Sequence, residues 1–115
     1  MPQYLPVTHI GSSFIHTACN NAASTTLIAA ASNTGGMVLR WLGFTHLATG
    51  NCGVYVSPTA PTGVADTTRR RIALSWSGTI AYEHMQFPLF IPAGEGLFAF
   101  ASAAGMFVTA GYDLY

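Results

Sequence analysis

Apolar and polar positions alternate through most of this chain with the two-residue period of strands, not the 3.6-residue period of helices. The clearest stretch is residues 71–77, where Ile72, Leu74 and Trp76 share one face and Ala73, Ser75 and Ser77 the other. On that pattern the Ile72–Leu74–Trp76 face, Trp76 included, is expected to be buried. Further strands are predicted over residues 25–31, 37–47, 52–57, 80–86, 87–91, 97–102 and 106–114. Between them fall turn sequences: Asn33-Thr34-Gly35-Gly36, Thr49-Gly50-Asn51, Ser77-Gly78-Thr79 and Pro92-Ala93-Gly94-Glu95-Gly96. Pro88 interrupts the apolar stretch of residues 80–91 and suits an edge strand or a bulge, because it cannot donate to a ladder.

Seven or eight short strands with regular turns, and no helical pattern, predict an all-β fold: an antiparallel β-sandwich or jelly roll. Residues 1–24 hold Pro2, Pro6, Gly11 and Asn20-Asn21 and read as an irregular, extended N-terminal arm. Residues 25–115 read as the sandwich domain. Removing residues 1–20 is therefore expected to leave the sandwich folded.

Composition sharpens this picture. The 115 residues are one domain in size, and only 7% of them are charged; about a quarter is usual. There are four arginines, no lysine, two aspartates and two glutamates, for a formal net charge of zero. With so little positive charge the chain has no field to neutralise a nucleic-acid backbone. Half of the residues are hydrophobic, which excludes intrinsic disorder. The mean hydropathy of +0.39 raises the question of a membrane. The uncharged stretch 96–112 reaches only the lower limit of a spanning helix, about 17 residues. Its alternation and its glycines fit two strands better. The first residues carry neither the basic start nor the apolar run of a secretory signal.

A sandwich exposes a large shell, and here few charges are available to cover it. Residues 37–44 and 106–114 are apolar on both faces, so one face is left for something other than the chain's own core. Lysine commonly guards strand edges, and this chain has none. Copies of the same chain are the simplest cover.

Candidate chemistry is sparse. His9, His16, His46, His84, Asp66, Glu83, Cys19 and Cys52 show no short spacing that would clamp a metal. No cofactor is expected. There is no nucleophile elbow. Gly94-Glu95-Gly96-Leu97-Phe98-Ala99 formally fits a loose dinucleotide fingerprint, but a strand follows where the fingerprint needs a helix N-terminus. Cys19 and Cys52 read as two buried free thiols, with a disulfide as the alternative under oxidising conditions. The one compact charge feature is Arg69-Arg70-Arg71. It reads either as a solvated loop end or as a clamp on an acidic or carbonyl-rich patch of a partner, which suits the planar fork of arginine. Trp41, Trp76, Tyr55 and Tyr82 are the candidate stacking platforms for a sugar.

Three segments carry a resemblance. Residues 31–40 (Ala-Ser-Asn-Thr-Gly-Gly-Met-Val-Leu-Arg), residues 88–97 (Pro-Leu-Phe-Ile-Pro-Ala-Gly-Glu-Gly-Leu) and the closing Gly111-Tyr112-Asp113-Leu114-Tyr115 follow a turn-and-strand cadence. In it the chain resembles small β-sandwich structural proteins of tailed bacteriophages, the capsid decoration (cement) proteins and fibre tips, over residues 25–115. The resemblance implies a non-enzymatic virion component made in the bacterial cytoplasm. Its partners would be copies of itself, in a trimer or other ring, and capsid or tail proteins. The alternative is a fibre-tip module that binds a host glycan or receptor.

Overall fold

The computed structural model describes residues 11–115, leaving aside the side chains of Gln86 and Phe87. Eight strands form among these residues: β1 (Ser13–Ala18), β2 (Ala23–Ile28), β3 (Met37–His46), β4 (Gly50–Ser57), β5 (Arg70–Ser77), β6 (Ala81–Ile91), β7 (Gly96–Ala101) and β8 (Met106–Leu114). The remaining regular element is a single 3-10 turn at Ala30–Ser32. The strands divide into two four-stranded sheets, ordered β1-β8-β3-β6 and β2-β7-β4-β5, and every pair is antiparallel.

One rule generates this order. The first strand pairs with the last, the second with the seventh, the third with the sixth and the fourth with the fifth. The chain is a long double ribbon rolled up on itself, which is the jelly roll. Rolling closes the structure with β8 and β7 in the interior of their sheets, and it leaves β1, β6, β2 and β5 at the edges.

The core lies between the sheets and is filled by alternate residues of the inner strands. Met37, Leu39, Leu42 and Phe44 of β3 face Val54 and Val56 of β4 and Leu97, Ala99 and Ala101 of β7, with Met106, Val108 and Ala110 from β8. The small residues of β7 and β8 let the sheets approach around the larger side chains. Asn33, expected only as a turn residue, is buried (1% exposed). Its side-chain amide donates to the carbonyls of Pro92 (2.8 Å) and Glu95 (2.9 Å), tying the β2–β3 connection to the β6–β7 turn.

Two expectations are corrected. Residues 1–24 are not all irregular. Ser13–Ala18 is an edge strand in continuous register with β8, from Ser13 opposite Tyr112 to Ala18 opposite Phe107. Its alternation was masked because only Ile15, Thr17 and the following Cys19 turn inward. Removing residues 1–20 would strip this strand from its sheet, so the truncation would not spare the fold. The rest of the expected arm, residues 1–10, lies outside the described residues.

The second correction concerns β5. Its inward face is Ala73, Ser75 and Ser77, and its outward face carries Leu74 (45% exposed) and Trp76 (67% exposed). The cause is a bulge. Tyr55 pairs with Arg71, but the next pair is Val54 with Ala73, so Ile72 is the extra residue. One inserted residue reverses the facing of all that follows. Pro88, by contrast, sits where it was expected, in the edge strand β6, where the pairing with β3 shifts between Leu39 and Trp41.

Candidate interaction surface

β5 and β6 are the edges of the two sheets on one side of the sandwich, joined by the short Gly78–Ile80 turn. That they lie face to face is shown by His46 of β3, next to β6, whose ring Nε2 is 2.7 Å from Ser75 Oγ of β5. Neither edge carries lysine. Leu74 and Trp76 point outward from β5 on one face of the sandwich, Ile80 (76% exposed) lies in the turn, and Tyr82 (58% exposed) points outward from β6 on the opposite face. Exposed Leu47 belongs to the same end, where Thr49 Oγ1 donates to the Gly78 carbonyl (3.1 Å) and couples the two turns. An apolar edge of this kind is a docking site for another chain unless something blocks it.

The outer face of the β1-β8-β3-β6 sheet continues the pattern. Register places His16, Thr109, Gly43 and His84 in one row across the four strands. The Trp41 indole lies over Gly43, whose missing side chain makes the room: a Cβ there would stand 2.6 Å from Trp41 Cη2. His84 stacks on Trp41 at 6.2 Å and on Tyr82 at 5.8 Å between ring centroids. On the far strands His16 stacks on Phe107 at 5.8 Å. The face is thus aromatic, imidazole and hydroxyl.

The opposite sheet is partly covered by its own chain. The loop between β4 and β5 folds back over it. Tyr55, fully buried, donates its hydroxyl to the Gly63 and Val64 carbonyls. Asp66 organises the loop by accepting from the amides and hydroxyls of Thr62 and Thr68. The Thr68 hydroxyl, then these amides, hold its carboxyl far below the usual carboxylate range. The three candidate arginines are distributed around this loop. Arg69 pairs with Asp66 (2.8 Å), and Arg71 Nη1 donates to the Val64 carbonyl (2.8 Å). Arg70, with 66% of its side chain exposed, is 3.9 Å from Glu95. The structure therefore separates the three in environment. Of the four candidate platforms, Tyr55 is sealed, Trp41 is half-buried under His84, and Trp76 and Tyr82 face water.

The sequence reading missed the His46–Ser75 pair. A hydroxyl on an imidazole, with the Glu83 charge acting on that ring, is the donor set of a hydrolytic triad. Burial gives it another role, since His46 is 1% and Ser75 2% exposed, and no pocket opens among the described residues. Here the pair gives the Ser75 hydroxyl, which the β5 bulge turned inward, a partner in His46 Nε2. No three histidine, cysteine or acidic side chains gather as metal ligands among the described residues.

Two solved structures are similar to this chain. Along its whole length it matches 88% of a chain in the cryo-EM structure of the giant freshwater prawn Macrobrachium rosenbergii extra small virus VLP, at 12% identity and a TM-score of 0.46. Over 90% of its length it matches 29% of a chain in the structure of the infectious bursal disease virus Gx strain, at 15% identity and a TM-score of 0.41. Likeness this distant transfers no role. No family model and no curated protein matches the sequence.

Proposed function

We propose that this chain is a structural protein of a virus particle, acting by binding and without chemistry of its own. In finer terms it is a decoration or cement protein, or a fibre component, of a tailed bacteriophage. It packs as a homo-oligomeric ring, such as a trimer, against a capsid or tail shell. The observation that carries this reading is the bulged strand β5, which places Leu74 and Trp76 in water while serine fills the interior. An isolated domain gains nothing from that inversion. A domain that meets a partner through its β5–β6 side does, because burying that face on association removes large apolar area from water. Arg69, Arg70 and Arg71 border the same strand, with Arg70 reaching a carbonyl or acidic patch of the neighbour.

A second reading rests on the Trp41–His84–Tyr82 stack. Flat rings next to hydrogen-bonding groups suit a neutral glycan. Light-scattering mass across a range of concentrations, together with tryptophan fluorescence during titration with neutral oligosaccharides, separates the two. The structural reading expects a multiple of the 12.1 kDa chain and no saturable fluorescence change. A monomer at all concentrations contradicts it. Saturable quenching that Gly43→Val abolishes, by displacing the Trp41 ring, supports the glycan reading instead.

A further inference from the structure

Cys19 and Cys52 are both free and buried, with their sulfurs 3.8 Å apart. Cys19 directly follows the edge strand β1, and Cys52 lies on β4, an inner strand of the other sheet. A disulfide needs sulfurs about 2 Å apart. Closing the remaining gap takes a shift of about 1.8 Å shared by two side chains, within the reach of small χ1 rotations. The pair sits across the sandwich, and a bond there would join the two sheets through the core.

We propose that Cys19 and Cys52 are a disulfide site, closed when the folded chain meets a small-molecule disulfide oxidant, and that the bond locks β1 to the opposite sheet. The inference stands apart from the proposed function and holds for either reading of it. The two sulfurs divide the work by position. Cys19, at 8% exposure beside the β1–β2 turn, is the one an oxidant reaches first; Cys52 is fully enclosed. Hydrogen bonding between the two sulfurs lowers the Cys19 pKa, favouring thiolate there, while that same interaction and burial push Cys52 up.

The exchange balances in two steps. Cys19 thiolate attacks one sulfur of the small disulfide; that S–S bond breaks and one thiolate leaves, giving a mixed disulfide on Cys19. Cys52 then loses its proton and attacks Cys19 Sγ, expelling the second thiolate. The two cysteine thiols are oxidised, the small disulfide is reduced to two thiols, and the two cysteine protons end on them.

The strand that gains is an edge strand with no fully buried residue of its own. β1 is paired only along β8, and its pattern alternates between exposed and half-buried residues. Locking its end through a loop spanning 33 positions restricts the unfolded chain and stops the strand from peeling away.

The test uses the full chain, incubated in its folded state with oxidised glutathione or with dithiothreitol. Alkylation and intact-mass measurement then count free thiols, and thermal unfolding is followed in parallel. The expected result is two reactive thiols after reduction and none after oxidation, within a single chain. The unfolding midpoint should rise by roughly 10 °C or more on oxidation. Cys19→Ser should leave the protein unable to close the bond, and its midpoint should be the same under both treatments. Persistence of both thiols after oxidation, a bond between chains in place of one within the chain, or an unchanged midpoint in the oxidised protein would each overturn the proposal. If Cys19→Ser fails to fold, the comparison of oxidised with reduced native protein still decides the matter.

Discussion

β7 and β5 flank the same strand, β4, and both alternate, yet they treat their large side chains in opposite ways. β7 sends Leu97, Ala99 and Ala101 into the core and lays Phe98 against its own sheet, so the strand is almost wholly enclosed. β5 sends Ala73, Ser75 and Ser77 inward and leaves Leu74 and Trp76 outside. The two strands pair with β4 in the same sense, but only the β4–β5 ladder contains a bulge. Alternation thus says that a strand has two unlike faces. A single unpaired residue decides which of them the core receives.

If that division is correct, substitutions should sort by facing and not by hydrophobicity. The largest loss is expected from the core shared with β7. Phe44→Ala, at a side chain 1% exposed, should cost about 3–5 kcal/mol, read from denaturant unfolding. Next comes Asn33→Ala. It leaves the Pro92 and Glu95 carbonyls without their donor and should cost about 2 kcal/mol in the same assay.

Ser75→Ala is the sharper probe of β5. Although it makes the inner face more apolar, it strands His46 Nε2 and should destabilise by about 1–2 kcal/mol. An acid dependence accompanies the same site. Burial lowers the His46 pKa, with Glu83 pulling the other way. The unfolded chain takes up a proton near pH 6.5 while the folded chain resists it, so stability is complete above that pH and declines below it. His46→Gln should flatten that part of the pH profile of the unfolding midpoint. The smallest change in stability belongs to the exposed Trp76: Trp76→Ser should alter unfolding of the chain diluted to monomer by no more than about 0.5 kcal/mol.

Much of the architecture could be read from the sequence because turn chemistry and period are local. Pro88 marked an edge strand, Gly35-Gly36 a turn, and the strands from Met37 onward fall close to where they were predicted. What escaped the reading is set by pairing between distant segments. β1 carries too few inward apolar residues to announce itself and is defined by its register with β8. The inversion of β5 depends on Ile72 having no partner across from it, which no spacing within residues 70–77 reveals. The surface follows the same division. Trp76 and Tyr82 were noticed as aromatics, but their exposure, the stack of Trp41 with His84, and the His46–Ser75 pair arise only when β3, β5 and β6 are brought together.

The central claim is that the outward face of β5 is a contact surface and not a misplaced core. Light-scattering mass of Leu74→Ser/Trp76→Ser beside the native chain, with unfolding midpoints measured on both, tests it most directly. The account predicts an oligomeric native protein whose midpoint rises with concentration, and a double variant that stays a 12.1 kDa monomer with the midpoint of the native chain diluted to monomer. A variant that keeps the native mass, or one that unfolds as a core substitution would, contradicts it.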